Sequence, residues 1–404
     1  MYRKRILVLC VLAAVLGCSC AKVETELPIK SDVETQTSFD EEKSSQMIAI
    51  SLETMKEQAS NTSETKLEKI KQVMQRLEEQ GYTAVDSKNQ INMVCADQAI
   101  DFCQAVEEKR QGDFMLTVIS DTFQWTIYDF HCDDGTVTVA RNIYQYVDGD
   151  MQLEDSAVYT ASDWKYTAEG YIMFSGSWYS EAYYLFTLSD MEEKVALRVL
   201  PLDEKCRALN ETYMIPISYV KNNMFLVDWS EDNFSALDFY DLFDIFYRQI
   251  YGKEVPYEPS DNLGVGTVYQ IPKEEFEHTI MTYLNIDSET LQQKTLYHAD
   301  TKTYEYRPRG FYEAEYPEHP YPEVVDYREN EDGTITLLVN VVFPYDGLSK
   351  VFSHEVVVRP LENGGVQYVS NHVIESEDNA EESWYKPRLT LAEWTEVYGT
   401  KELE

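Results

Sequence analysis

The sequence predicts an α+β fold laid out in two rounds, each with helices first and antiparallel strands after. Three observations carry that prediction. Apolar residues recur at helical spacing up to about residue 108 and at alternating spacing from Phe114 onward. The alternating runs are separated by tight polar turns such as Asp133-Asp134-Gly135 and Val147-Asp148-Gly149-Asp150, which suit hairpins and leave no room for crossover helices. The helical pattern then returns after the stretch VPYEPSDNLGVG, and a second set of alternating runs follows it.

In chain order, a polar Ser/Thr/Glu-rich segment precedes a helix predicted over 41–59, with a capping box in Ser38 and Glu41. The next helix shows Leu67, Ile70, Met74 and Leu77 on one face and stops at Gly81. A short strand over 82–85 and a helix over 97–108 follow. Strands are then predicted around Phe123 to Tyr128 and over 136–146, 153–160, 170–176, 182–188 and 195–199. Helices over 204–213 and 237–251 end the first round. In the second round Pro272 suits the first position of a helix running to 284, and 288–294 adds a short helix. Strands over 323–327, 334–343, 350–359 and 365–374 have hairpin turns at Asp332-Gly333 and Asn363-Gly364-Gly365. A helix with a four-stranded meander is a cystatin-like or NTF2-like layout, and a last helix over 390–398 has a capping box in Thr390 and Glu393. The predicted organisation is a signal peptide at 1–17, a tether and first helix at 18–60, an N-terminal α+β domain at 61–253 and a linker at 254–266. A smaller C-terminal α+β domain at 267–378 and a tail at 379–404 complete it.

The amino terminus predicts location. Arg3, Lys4 and Arg5 precede an apolar run from Ile6 to Leu16, the order of a secretory signal. The run is too short to span a bilayer, which takes about 20 apolar residues. Val15-Leu16-Gly17-Cys18 resembles the lipobox of bacterial lipoproteins, so Cys18 is the expected lipidation site, with the protein anchored on the extracytoplasmic side of the cell membrane. Acidic residues outnumber basic ones 72 to 34, and a net charge of −38 repels phosphates, which excludes nucleic acid as a partner. Of seven cysteines, Cys95, Cys103, Cys132 and Cys206 lie in the body, too few for a disulfide scaffold, and free thiols are expected. A helix between Cys95 and Cys103 would hold them about 12 Å apart, out of bridging reach.

The stretches GYTAVD (81–86), NNMFLVDW (222–229), YRPRGFY (306–312) and QYVSNH (367–372) resemble those of an uncharacterised family of clostridial-type lipoproteins. The likeness covers most of the chain after about residue 64. It implies a Gram-positive cell surface and no particular chemistry.

Catalytic and metal motifs are weak. Ser218 and Lys221, with Ser260-Asp261-Asn262 downstream, follow the order seen in penicillin-binding proteins, so a serine hydrolase or transpeptidase is the alternative to a binding protein. Ser-x-x-Lys also occurs at Ser63 with Lys66 and at Ser162 with Lys165, which marks the pattern as background. Glu274, Glu275 and His278 have ligand spacing on one helix but lack a second such motif, and His354-Glu355 lacks a second histidine. No cofactor or metal is expected. The candidate binding residues are Tyr306, Arg307, Arg309, Phe311 and Tyr312, in an extended loop predicted over 304–321. Arginine beside aromatic rings can hold a carboxylate, phosphate or sugar, which points to a cell-envelope protein, peptide or saccharide as partner.

Overall fold

The computed structural model of the chain describes residues 39–58, 64–177, 192–259 and 266–399, and all of these fall in one compact unit. Its first layer is a helix pair, α1 (Glu41–Gln58) and α2 (Lys66–Glu79). The entry to α1 is capped by Asp40, whose Oδ1 accepts from Lys43 N at 3.0 Å; Ser38, the expected cap, lies outside the described residues. Thr65 and Glu68 form a full capping box at α2.

Next comes a five-stranded sheet in the order β1-β2-β3-β4-β5: Thr83–Asp86, Gly112–Ile119, Gln124–Asp133, Thr136–Val147 and Asp150–Thr160. Helix α3 (Ala96–Glu107) lies between β1 and β2, so these two strands pair in parallel, while the rest is an antiparallel meander. Both faces of the sheet are covered. Met115, Ile119, Trp125 and Ile127 face α1 and α2; Phe114, Leu116, Tyr128 and Phe130 face α3 and a second sheet. Two buried faces explain why β2 reads Phe-Met-Leu without a polar alternate.

The second sheet, β6 (Asp163–Tyr166), β7 (Tyr171–Gly176) and β8 (Glu193–Arg198), has no core of its own. Ile172, Phe174 and Leu197 pack on the first sheet, while Tyr171, Met173 and Ala196 pack on Val342 and Tyr321 of the chain's second half. The strand expected at 182–188 lies outside the described residues.

The second half is built from α4 (Glu204–Leu209), which continues as a π-helix (Asn210–Met214) where one α-helix over 204–213 was predicted, and from α5 (Phe239–Tyr251). Beyond α5 come β10 (Tyr269–Pro272), α6 (Lys273–Tyr283), α7 (Ser288–Lys294), β11 (Tyr297–His298) and β12 (Thr303–Tyr306). Pro272 ends β10 and caps α6 instead of opening it. The small β10-β12-β11 sheet takes Tyr304 and Tyr306 out of the loop predicted over 304–321.

The predicted four-stranded meander is present as β13 (Tyr321–Glu329), β14 (Ile335–Val342), β15 (Ser353–Pro360) and β16 (Val366–Ile374). A fifth strand, β9 (Trp229–Ser230), joins its edge at β16. Gly333 and Gly364 take φ of 82° and 83° in the two hairpin turns, where a side chain would be strained. One continuous core runs from Cys206 to Trp384, so α5 and the β10 to β16 elements on either side of the predicted 254–266 linker share it. The chain closes with α8 (Leu391–Tyr398), whose Thr390/Glu393 capping box is formed. Cys95, Cys103, Cys132 and Cys206 are free thiols, and burial pushes Cys103 up to about 12.

A buried polar lock joins the two halves. Glu323 on β13 pairs with Arg198 of β8 and accepts from the Tyr171 hydroxyl at 2.6 Å, and both charged side chains are under a tenth exposed. Asn89, held at φ 54°, donates to Ala196 O and to the Tyr321 hydroxyl, both at 2.9 Å, and accepts from Arg198 N at 2.7 Å. Glu323→Ala, which strands the Arg198 guanidinium, is expected to cost about 3–5 kcal/mol in urea unfolding. The double variant Arg198→Met/Glu323→Leu should recover most of that loss; an unchanged single variant would show the pair to be dispensable.

Candidate functional site

The predicted binding residues divide into a buried part and an exposed part. The buried part is organised by α5, whose sequence Asp238-Phe239-Tyr240-Asp241-Leu242-Phe243-Asp244 puts three carboxylates three residues apart, on neighbouring turns of one face. Asp238 caps the helix, accepting from Tyr240 N at 3.0 Å and Asp241 N at 3.1 Å. Asp241 has no solvent exposure and receives both forks of Arg309, Nε at 2.8 Å and Nη2 at 2.6 Å. Arg388 completes the cluster. Its Nε reaches Asp241 Oδ1 at 2.6 Å, its Nη2 reaches Asp244 Oδ2 at 3.1 Å, and Asp238 stands 3.6 Å away. The Tyr306 hydroxyl donates to Asp244 Oδ1 at 2.6 Å.

Three carboxylates against two guanidinium groups leave one negative charge in excess. Burial pushes the Asp238 and Asp244 carboxyls up to about 6; Asp241 adds to the rise and Arg388 opposes it. For Arg309 and Arg388, burial alone would lower the guanidinium, and Asp241 more than offsets it.

The same cations tie down the surrounding backbone. Arg309 Nη1 donates to Lys386 O at 2.7 Å and Arg388 Nη1 to Arg307 O at 2.5 Å, and beside them the Glu313 carboxylate accepts from Leu389 N at 3.0 Å. Beyond this knot α8 lies across the loop. Trp394 occupies the space beside Gly266 and Tyr398 that beside Gly310, where an added Cβ would come within 2.2 Å and 2.1 Å of them. Arg307 pairs with Glu305, and its guanidinium sits 4.7 Å from the Trp394 ring.

The exposed part is an aromatic rim on the short 3-10 turn Phe311–Glu313 and just after it. Phe311 is 62 % exposed, Tyr312 47 % and Tyr316 68 %, and the Phe311 and Tyr312 rings meet edge to face at 5.5 Å. Tyr306 and Arg309, by contrast, have their polar groups engaged inside the cluster. Sequence reasoning missed Asp238, Asp241, Asp244 and Arg388. The available signal was three acids at regular spacing in an otherwise apolar helix, which demand buried cations from elsewhere in the chain.

The other candidates take plainer places. Ser218 and Lys221 both have φ of 52° in a non-helical turn, so they lack the helical one-turn spacing of a serine acyltransferase pair; Ser260-Asp261-Asn262 lies outside the described residues. His354 is fully buried between the Tyr219 hydroxyl at its Nε2 and Asn371 Oδ1 at its Nδ1, both at 2.7 Å. Asn371 spends its amide on Val227 O at 2.8 Å, so its oxygen faces His354 and the proton sits on Nδ1. Burial pushes this imidazole down to about 4, which keeps it neutral. Among the described residues no group of three or more His, Cys, Asp or Glu is placed to hold a metal, and no helix is long and apolar enough to cross a membrane.

This geometry defines an α+β protein with two halves locked by a buried ion pair and a surface loop clamped to an internal charge cluster. The chain belongs to a family of unknown function, DUF6070, whose pattern it matches over residues 38–388. No curated protein and no solved structure matches it.

The raised carboxyls have a testable sign. A group with folded pKa near 6 and unfolded pKa near 4 contributes stability that is full below about pH 4 and lost as pH rises through about 6. Asp238→Asn keeps the helix cap and removes one titrating group. Thermal melts from pH 5 to 7.5 should therefore show a smaller loss of stability in Asp238→Asn than in the wild type, by on the order of 1 kcal/mol since the side chain keeps some solvent. Parallel pH profiles would contradict the assignment.

Proposed function

We propose that this protein is a lipoprotein anchored through Cys18 on the extracytoplasmic side of a Gram-positive cell membrane, and that its folded body captures a cell-envelope partner through Phe311, Tyr312 and Tyr316. The observation that carries the binding reading is the aromatic rim itself. Three rings stand exposed within six residues on a surface that is otherwise strongly acidic. The loop that presents them is clamped from beneath by Arg309 and Glu313, so the rings are preorganised and capture costs little ordering entropy. Flat apolar rings suit the faces of a saccharide or the side chains of a peptide.

The anchoring reading is supported by the lipobox-like Gly17-Cys18 behind a short apolar run and a basic start. Two or more acyl chains would hold the body at the membrane against its own negative charge.

Expressed in a Gram-positive host, the wild type should incorporate labelled palmitate and sediment with membranes, and Cys18→Ala should do neither. Continued labelling of Cys18→Ala would place the anchor elsewhere. In capture assays on purified cell-wall sacculi and envelope peptides, Phe311→Ala/Tyr312→Ala/Tyr316→Ala should lose at least about tenfold in affinity with an unchanged melting temperature. Equal capture by the variant would remove the rim as the binding surface.

A further inference from the structure

A groove of about 610 Å³ lies between α2, the segment 90–94 and the α4/π-helix, and shares no residue with the aromatic rim. Its walls are two helices. Leu67, Lys71, Met74 and Glu78 run along one wall at helical spacing, and Glu204, Arg207, Ala208 and Glu211 along the other. Ile91 and Val94 add an apolar floor, half covered by the protein's own core.

The charge on this groove is one-sided. Glu68, Glu78, Glu204 and Glu211 outnumber Lys71 and Arg207, and the donors of Arg207 are taken up by its own neighbours. Its Nε and Nη2 donate to Asn92 Oδ1 at 3.0 and 2.7 Å, and its Nη1 donates to the Asn89 carbonyl. An occupant therefore meets an apolar centre and an acidic rim. Backbone pairing is not on offer. The walls are helices whose amides are satisfied internally, and the neighbouring β1 is paired with β2 on one side and bridged to Val94 on the other. Recognition must run through side chains presented every three or four residues.

We infer that this groove seats a basic amphipathic helix of a partner protein, its apolar face on the half-exposed Leu67, Ile91 and Val94 and its lysines or arginines on the acidic rim. This is the helix-in-groove mode, with the charge signs set by this chain. The partner class is thus opposite in charge to the protein itself, whose net charge is −38.

The test uses the full chain and a fluorescein-labelled amphipathic Leu/Lys peptide of roughly 18 residues, with the Leu/Glu peptide of the same pattern as control, read by anisotropy. The Leu/Lys peptide should bind saturably at one per chain and the Leu/Glu peptide should not. Ala208 is exposed on the groove wall, so Ala208→Trp fills the groove without touching the core. It should weaken the Leu/Lys peptide by at least about tenfold, and Glu204→Lys/Glu211→Lys should do the same, both with wild-type melting temperatures. Binding of the Leu/Lys peptide to Ala208→Trp as tightly as to the wild type would overturn the proposal, since the peptide would then be reading only the general acidity of the surface. No saturable binding to the wild type would overturn it too.

Discussion

Asp241 has no contact with solvent, and a carboxylate is tolerated in that position only if cations come to it. Arg309 and Arg388 are those cations, and much of the second half of the protein is arranged by the need to deliver them. In a chain with twice as many acids as bases, cations are the scarce component. Two buried acids fix long-range contacts: Glu323 fixes Arg198, and Asp241 fixes two arginines at once, while Glu305 holds its near neighbour Arg307. Replacing one of these acids alone would leave its arginine stranded, so the pairs are stable as pairs.

What was legible in the sequence follows from the range over which each feature is determined. The Thr390/Glu393 capping box and the turns at Gly333 and Gly364 are set by residues within a few positions of each other, and they formed as read. The first meander and the final four strands were legible because alternation is a local pattern. Strands β9 and β11 were not, since two residues carry no period, and β9 exists only because the edge of β16 is there to pair with it. The candidate site was half legible. Arginines among aromatics drew attention to 304–321, but the sequence does not say which arginines turn inward. That depends on Asp241, 68 residues before Arg309.

The division of that loop is itself a consequence of charge. Arg309 is drawn inward by the cluster, Glu313 is held beside it by the Gly310 and Leu389 amides, and Phe311, Tyr312 and Tyr316 are left facing out. Gly310 gives up its side chain so that Tyr398 can lie against it, and Gly266 does the same for Trp394. The α8 helix thus rests on the loop that the buried cluster has already positioned.

The order in which the chain is made gives the Arg388 contact a further meaning. Asp241 emerges 147 residues before Arg388, and until that arginine arrives the three carboxylates of α5 lack one of their two cations. A chain that stops short of Arg388 would leave those carboxylates with Arg309 alone. The contact thereby ties the burial of α5 to a segment that is made long after it.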